Sequence, residues 1–193
     1  MTYPERGFAE LYRACRESGW FTTWQVESEI VRFLELIHER KMQTAMEIGT
    51  AAGGTLYLLT RAMDRHATIL TLDLEGDPLK AECLRGFARL QQRVGVMQGN
   101  SNDPATAQRV RAELAGRPLD LLLIDGDHSS YGVRKDFELY RPLVAPGGIV
   151  AFHDVCLAGG VREFWQEVKR EYGHDEFIGD PGQHECGLGL LHV

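Results

Sequence analysis

The sequence predicts an α/β fold, in which a doubly wound and mostly parallel sheet carries helices on both faces. Two observations predict it. Seven strand candidates alternate with helical patterns along the chain, which is typical of right-handed βαβ crossovers and hence of parallel strands. The run LDLLLID at 119–125 is apolar enough to be buried on both sides, as the central strands of such sheets are. We therefore expect a Rossmann-like sheet of seven strands.

The individual elements follow from hydrophobic periodicity and from the residues that begin them. In the segment 27–40, apolar residues recur at i, i+3, i+4 and i+7, which predicts a helix with one core-facing side. Pro78 suits the first turn of another helix. The further predicted helices span 54–65, 78–93, 104–115, 131–140 and 161–172. The predicted strands span 44–48, 68–73, 94–98, 119–125, 148–153, 176–178 and 188–193.

Length, charge and composition exclude several classes of protein. The 193 residues are expected to form a single domain, 1–193, because a second core would need a longer chain. The net charge of −7 disfavours a nucleic-acid binder, which needs a basic face. The longest apolar runs have four residues, far below the ~18 that a membrane helix needs, and the first residues lack the apolar stretch of a signal peptide. The lack of both patterns, together with four widely spaced cysteines, favours a cytoplasmic chain with free thiols.

The N-terminal segment, residues 1–26, holds six of the 17 aromatic side chains in the protein. One interpretation is a segment that packs on the fold. The other is a lid near a ligand, or an arm that contacts a second copy of the chain. The sequence leaves both open, and with them the question of a homo-oligomer.

A glycine-rich turn follows the first strand, in the sequence EIGTAAGGT at 47–55. Its glycines permit a tight turn and close approach of the backbone to a ligand. The spacing is not the G-x-G-x-x-G of dinucleotide binders, and the Lys of a P-loop is missing. The carboxylate of Glu47 would repel a pyrophosphate and attract a cation. An adenosine ligand with a positive centre and no phosphates therefore fits better than NAD or ATP, although the turn could also merely connect strand to helix.

An acidic residue, Asp73, ends the second strand. It lies 20 residues beyond Gly53, the spacing at which a carboxylate meets a ribose diol in Rossmann-like folds. A routine cap or turn former is the alternative interpretation. Together with the glycine turn, Asp73 predicts a nucleoside site.

Two further strand ends carry paired acids and histidines. The fourth strand leads into IDGDH, with Asp125 and His128, and the fifth leads into FHD, with His153 and Asp154. These strands are expected to be neighbours about 4.8 Å apart, so that Asp125 and Asp154 converge. Paired carboxylates in such a place hold a divalent cation or share protons. Helix caps and loop hydrogen bonds are the alternative for each acid.

The motifs resemble the class I S-adenosylmethionine-dependent methyltransferases. The match consists of EIGTAAGG at 47–54, Asp73, and IDGDHSSYGVRKDFELYRPLVAPGGIVAFHDV at 124–155. The last stretch is similar to the branch that contains cephalosporin hydroxylase-like proteins and macrolide-sugar O-methyltransferases. The resemblance covers roughly residues 43–165, and the two ends of the chain match only loosely.

The resemblance implies a role for each strand-end residue. The methionine and ribose end of the cofactor would be lined by Glu47, Gly49, Thr50, Gly53, Gly54 and Thr55. Asp73 would bind the ribose hydroxyls, Asn100 and Ser101 would flank the adenine, and Asp125 would also border the cofactor. Asp125 and Asp154 match metal-binding acids, and His128 matches the catalytic histidine three residues after the first acid. Those enzymes commonly carry an acidic residue immediately before the second Asp, whereas this chain has His153 there. An imidazole ligand at this position would shift the metal preference toward zinc, iron or manganese.

The implied function is transfer of a methyl group from S-adenosylmethionine to a hydroxyl of a small molecule, with His128 and Asp125 as the catalytic pair. Assistance by a divalent metal such as Mg²⁺ or Mn²⁺ is left open. Two alternatives come from other classes. The DGD triplet at 125–127 also occurs in the metal sites of nucleotide-sugar glycosyltransferases, and a fold of this kind can persist in a non-catalytic binding module.

Overall fold

The computed structural model describes residues 7–89 and 91–193 and confirms the predicted α/β architecture. The strands are β1 (Thr44–Ile48), β2 (Thr68–Asp73), β3 (Arg93–Gln98), β4 (Leu119–Ile124), β5 (Val144–Phe152), β6 (Gly173–Phe177) and β7 (Leu188–His192). The helices are α1 (Phe8–Glu17), α2 (Glu27–Arg40), α3 (Gly54–Ala62), α4 (Pro78–Arg85), α5 (Pro104–Leu114), α6 (Ser130–Tyr140) and α7 (Gly160–Val168). No helix within these described ranges combines the length and apolar character that a membrane crossing requires.

The strands form one sheet in the order β3-β2-β1-β4-β5-β7-β6. β1 to β5 pair in parallel, and β7 runs antiparallel to both of its neighbours. Strand order reverses between β1 and β4, which makes their carboxyl ends the switch point where ligands bind in doubly wound sheets. In β4 and β5, Ile124 pairs with Phe152, so Asp125 and His153 follow side by side.

Helices cover both faces of the sheet, each over its own apolar core. Leu121 and Leu123 of β4 belong to the core beneath α1 to α4. Leu122 and Ile124 belong to the core beneath α5 to α7. All four side chains are buried, as expected from the alternation of side chains along a strand that has helices on both sides.

Several element boundaries differ from those expected from sequence. Helix α3 ends at Ala62 instead of residue 65, α7 spans Gly160–Val168 instead of 161–172, and β6 spans Gly173–Phe177 instead of 176–178. The fourth helix ends at Arg85 instead of Arg93, because the segment after it is held by bonds from other elements, such as Arg61 to the Phe87 carbonyl. β5 begins four residues early, at Val144. Helix α1 was not expected. Its buried side chains include Phe8 and Leu11, and it packs on α2 and α3.

Residues 18–26, called the N-terminal strap below, cross from α1 to the beginning of α3. The backbone carbonyl of Thr22 accepts a hydrogen bond from Gly54 N at 3.1 Å. The hydroxyls of Thr23 and Thr55 are 2.8 Å apart. A side chain at position 54 would overlap the backbone of Thr22, so the strap can lie this close only over glycine. The strap thus reaches the carboxyl edge of the sheet.

Gly49 allows the turns after β1 and β4 to touch. Its φ is +93°, and a Cβ at this position would overlap the carbonyl oxygen of Asp125. A backbone hydrogen bond holds each of the two turns in place: Gly49 N donates to Leu72 O, and Asp125 N donates to Ile48 O, both at 2.9 Å. Since neither neighbour can withdraw without losing sheet hydrogen bonds, the site geometry depends on the absence of a side chain here.

We expect Gly49→Ala to destabilise the protein by about 3 kcal/mol or more, because it adds steric overlap to an unfavourable φ. Gly116→Ala is the matched control. Its φ is +80°, but no atom lies within 4 Å of its added Cβ, so a cost of about 1–2 kcal/mol is expected. Urea unfolding of both variants measures the difference, and equal stabilities would contradict the close approach.

A buried carboxyl group, Glu47, lies near the end of β1. Its side chain is 1% exposed and accepts a 2.8 Å hydrogen bond from the Thr71 hydroxyl. Burial raises the pKa of Glu47 to about 8, against the opposing effect of the bond from Thr71. Between about pH 4.5 and 8 the folded chain therefore holds a proton at Glu47 that the unfolded chain has released.

The stability of the ligand-free protein should consequently fall as pH rises from about 4.5 to 8, by a contribution on the order of 3–5 kcal/mol. Glu47→Gln is neutral throughout this window and should reduce the slope of that part of the profile. The measurement is the free energy of unfolding in urea at several pH values. Glu35→Gln, on the exposed side of α2, serves as the control, and an unchanged slope in Glu47→Gln would refute the assignment.

Candidate active site

A cavity of about 1030 Å³ opens at the carboxyl ends of β1, β2, β3 and β4. Five of the residues singled out from the sequence line it, namely Gly49, Asp73, Asn100, Ser101 and Asp125. Trp20 of the N-terminal strap closes part of its edge, with 61% of the residue still exposed. The lining also contains Glu75, Asp127 and Lys80, so its charge is predominantly acidic.

The carboxylate of Asp73 holds the glycine turn. Its Oδ2 accepts hydrogen bonds from the backbone N–H groups of Thr50 and Ala51, both at 3.0 Å. Its Oδ1 accepts from Glu75 N at 3.0 Å. Oδ1 has a further lone pair, so Asp73 can organise the turn and still accept a hydrogen bond from a ligand in the cavity.

Five other residues singled out from the sequence surround the turn and, among the described residues, do not border the main cavity: Glu47, Thr50, Gly53, Gly54 and Thr55. The Thr50 hydroxyl lies 2.5 Å from that of Thr71, and Thr50 borders an adjoining cavity of about 330 Å³. A side chain at Gly53 would overlap Leu84. These residues thus belong to the glycine turn or flank it, and they support it from the side that does not border the main cavity.

The loop after β3 is anchored to α6. Asn102 donates from Nδ2 to Asp136 Oδ1 at 2.8 Å, and the Tyr140 hydroxyl donates to Ser101 O at 3.0 Å. Asp136 is fully buried, which raises its pKa to about 6 although Ser101 and Asn102 oppose the shift. These bonds fix Asn100 and Ser101 at the edge of the cavity.

Two acids and two histidines converge where β4 and β5 end. His153 Nδ1 lies 3.2 Å from both Asp125 Oδ1 and Asp154 Oδ2. His128 Nε2 lies 3.7 Å from Asp125 Oδ1 and 3.5 Å from Asp154 Oδ2. His153 and Asp154 are buried, whereas nearly half of the His128 side chain is exposed. The group expected from the sequence is thus assembled, with His128 on its open side.

These groups shift one another's protonation. Burial opposes the charged form of Asp125, but the nearby imidazole of His128 and the hydrogen bond from His153 lower its pKa below the usual value. Burial likewise opposes the charge on His153, and the carboxylates of Asp125 and Asp154 override it and raise the pKa of His153 to about 12. The nearby carboxylates of Asp125 and Asp154 raise the pKa of His128, against the opposing effect of burial. The cluster therefore favours a positive charge between its two carboxylates.

Two further residues at this site are not indicated by any motif in the sequence. Gln25 of the N-terminal strap donates from Nε2 to Asp125 Oδ2 at 3.3 Å, and its Oε1 is buried with no partner among the described residues. Cys186 precedes β7 and places its thiol next to His153 and Asp154. Each residue lies more than 30 positions from its contact in sequence, so only the fold brings them together.

The cluster fits a divalent metal ion. Asp125, His128 and Asp154 offer donor atoms that all lie within 4.8 Å of one another, and so do His153, Asp154 and Cys186. In addition, Nε2 of the buried His153 has no partner in the described part of the chain. Carboxylate, imidazole and thiol are all common ligands of divalent metals in proteins.

Comparison with known proteins identifies the family of the chain. A family model described as a methyltransferase domain matches residues 46–155, which include the glycine turn and the whole acid–histidine segment. The rhamnosyl O-methyltransferase of Mycobacterium tuberculosis (strain H37Rv) is 26% identical over 171 residues, covering 79% of this chain and 67% of that protein.

Solved structures share the fold. An O-methyltransferase from Bacillus cereus, in complex with SAH, has a TM-score of 0.70 and 20% identity, covering 98% of this chain and 92% of its own. The MycE methyltransferase of mycinamycin biosynthesis, in complex with Mg and SAH, has a TM-score of 0.65 and 18% identity, covering 98% and 56% respectively. Since the family model spans more than half of the sequence, the chain belongs to the methyltransferase-domain family and is an S-adenosylmethionine-dependent methyltransferase.

Proposed function

We propose that the protein methylates a hydroxyl oxygen of a small molecule and that a divalent metal assists. One observation carries the proposal: Asp125 borders the large cavity and at the same time belongs to the acid–histidine cluster. A methyl donor in the cavity and an acceptor oxygen at the cluster would thus be adjacent. The name of the mycobacterial relative, a rhamnosyl O-methyltransferase, supports an acceptor hydroxyl on a sugar.

The cavity suits the cofactor in size and charge. Its volume of about 1030 Å³ is at the upper end of the ~300–1,000 Å³ of small-molecule sites, which leaves room for part of the acceptor. Its acidic lining attracts a sulfonium ion and repels a pyrophosphate, so it favours S-adenosylmethionine over a nucleotide sugar. The glycosyltransferase alternative is therefore disfavoured.

The residues around the cavity divide into two groups. We assign the ribose hydroxyls to Asp73, the adenine edge to Asn100 and Ser101, and the reacting end of the cofactor to Gly49 and Asp125, since all five line the cavity. A supporting role is assigned to the residues behind the turn, Glu47, Thr50, Gly53, Gly54 and Thr55. Their contacts with Thr71, Leu84 and the N-terminal strap set the shape of the turn.

In this proposal Asp125, Asp154 and His153 would hold the metal. A bound divalent ion acts as a Lewis acid that lowers the pKa of an acceptor hydroxyl. The two carboxylates need a compensating positive charge in any case, because buried like charges repel. The magnesium in the MycE structure, which has the same fold, supports a divalent metal in this protein as well.

His128 is assigned the role of general base. Methyl transfer from a sulfonium needs in-line positioning and removal of the acceptor's proton. The Nε2 atom of His128 faces Asp125 and Asp154, which hold the ring in place and stabilise the imidazolium that forms. Its exposed position on the open side of the cluster leaves it accessible to an acceptor.

The N-terminal strap is assigned to acceptor recognition. Trp20 borders the cavity, Gln25 contacts Asp125, and Trp24 between them is 72% exposed. Aromatic side chains next to a polar site suit a small acceptor with an apolar face. A second role assigned to this segment is that of an arm that contacts a second copy of the chain. The free thiols of the described cysteines agree with a cytoplasmic enzyme.

Asp73→Asn should weaken S-adenosylmethionine binding by at least ~1.5–3 kcal/mol, because a charge-assisted hydrogen bond to the ribose is lost and the amide nitrogen must face a backbone N–H group that Asp73 accepts from. Isothermal titration calorimetry measures the binding. Asp64→Asn is the matched control, since Asp64 also caps a turn, by accepting from His66 N, but lies after α3 at the opposite edge of the sheet. Undiminished binding by Asp73→Asn, or tighter binding of a nucleotide sugar than of S-adenosylmethionine by the wild type, would contradict the placement.

His128→Ala should lower methyl transfer by ~10²–10⁴-fold while cofactor binding stays intact. The assay follows a labelled methyl group from S-adenosylmethionine to a panel of rhamnosyl glycosides and phenols, with the labelled ether identified by mass spectrometry. His66→Ala, at an exposed site between α3 and β2, is the control.

Two outcomes would count against the proposal. Turnover of His128→Ala within a few-fold of the wild type, with an unchanged pH profile, would remove the base role from His128. Transfer by the wild type to no hydroxyl of the panel, despite cofactor binding, would argue for a non-catalytic binding module or another acceptor class.

A further inference from the structure

We propose that Cys186 is a ligand of the metal centre and that, with His153, it makes the centre selective for a zinc-type ion over Mg²⁺. This inference rests on the proposed function in one respect only, namely that a divalent metal binds near Asp125 and Asp154. Cys186 has no counterpart in the motifs that identified the site, since it lies 32 positions beyond Asp154 in the loop before β7.

Three chemically different donors meet at this position. The imidazole of His153, the carboxylate of Asp154 and the thiol of Cys186 offer ligand atoms that all lie within 4.8 Å of one another. His153 is 4% exposed, and its Nε2 has no partner among the described residues. A buried imidazole with an unsatisfied nitrogen is costly unless a ligand or water completes it. The three donors are thus close enough to share one ion, which would bind a single nitrogen of the His153 ring.

The spacing between donors matches a small coordination sphere. His153 Nδ1 lies 3.2 Å from Asp125 Oδ1 and from Asp154 Oδ2. Zinc binds nitrogen and oxygen at ~2.0–2.1 Å, which gives tetrahedral ligand–ligand distances of roughly 3.3–3.4 Å. Nδ1 and the two carboxylates thus already have nearly this spacing, and because one ion binds only one nitrogen of the ring, a metal bound at Nδ1 would take the place of its proton.

The loop that carries Cys186 is fixed on both sides. The carbonyl of Cys186 accepts a 2.9 Å bond from Cys156 N, and Gly187 N donates to Glu29 Oε2 at 2.9 Å. Glu29 is 1% exposed and also accepts from Gln183 Nε2 at 2.7 Å. The thiol makes a long contact, 3.7 Å, with the carbonyl of Trp24, and it also interacts with the side chain of His153. A firmly held backbone with a loosely bound thiol allows the side chain to turn toward a metal at little cost.

The donor set decides which metal binds. Mg²⁺ requires about six oxygen ligands in octahedral geometry and does not bind thiolate well, whereas Zn²⁺ prefers thiolate and imidazole in four-coordinate sites. On binding, the S–H bond of Cys186 breaks, its proton passes to solvent, and a metal–sulfur bond forms without any change in oxidation state.

The test uses the full-length protein stripped of metal and loaded with Co²⁺ or Zn²⁺ alone. Co²⁺ bound to a thiolate shows a charge-transfer band in the near ultraviolet, which oxygen and nitrogen ligands do not produce. We expect this band in the wild type and in Cys156→Ser, and its loss in Cys186→Ser. Cys156 is the matched control, because it neighbours the same loop without belonging to the donor cluster.

Zinc affinity gives the second readout, by competition with a chromophoric chelator. Loss of a second-shell partner of a metal typically costs 10–100-fold in affinity, so loss of a ligand in Cys186→Ser should cost at least ~100-fold. Excess Mg²⁺ should not displace Zn²⁺ from the wild type. Circular dichroism and urea unfolding verify that Cys186→Ser is folded, and the wild-type cobalt spectrum is informative even if that variant is not.

Three results would overturn the inference: no charge-transfer band in the cobalt-loaded wild type, equal zinc affinity of the wild type and Cys186→Ser, or displacement of Zn²⁺ by Mg²⁺. Binding of S-adenosylmethionine by the wild type distinguishes a failure of the Cys186 assignment from a failure of the proposed function. If the wild type binds S-adenosylmethionine and methylates a hydroxyl but shows none of the metal results, only the ligand assignment is wrong. If it binds no S-adenosylmethionine, the proposed function itself fails.

Discussion

The close contact between the ends of β4 and β5 is the constraint on which the site depends. Parallel pairing of Ile124 with Phe152 sets Asp125 beside His153, and the next residue, Asp154, completes the acid pair. On its other side, the backbone of Asp125 touches Gly49. The turn after β4, which carries Asp125, is therefore in contact with the glycine turn, the acid–histidine cluster and the cavity. A shift of one residue in the β4–β5 register would separate all three.

Electrostatic balance then determines the state of the cluster. Two carboxylates, one of them buried, would repel each other if no positive charge lay between them. In the absence of a metal, the imidazolium of His153 supplies this charge, which explains why its pKa is raised although burial opposes the shift. A metal ion would take over the same role, and because it needs a neutral imidazole, its entry would release a proton. Proton and metal are thus alternative counter-charges at one position.

Segments from both ends of the chain complete the site. The N-terminal strap brings Gln25 to Asp125, and the loop before β7 brings Cys186 to His153 and Asp154. Glu29 of α2 links the two regions, since it lies directly after the strap and binds the backbone of the C-terminal loop at Gly179 and Gly187. A rigid sheet thus supplies the reacting groups, whereas loops around it supply the contacts that distinguish one substrate or metal from another.

The sequence by itself determined the class of the fold and the strand-end residues. Alternating patterns predicted all seven strands, and LDLLLI at 119–124 is buried on both faces as its composition required. Asp73, Asp125 and Asp154 could be identified because local motifs place them directly after strands. These features depend on short-range periodicity, which a single sequence carries in full.

Only the tertiary structure decided which residues line the cavity and which support it. Thr55 belongs to the glycine motif yet bonds with Thr23 of the strap, whereas Trp20, outside any motif, borders the cavity. Helix α4 ends at Arg85 because bonds from α3 hold the chain that follows it. Gln25 and Cys186 reach the site through contacts with residues 100 and about 30 positions away. Such contacts arise from how helices and loops pack against the sheet, and no local pattern encodes which distant side chains this packing will bring together.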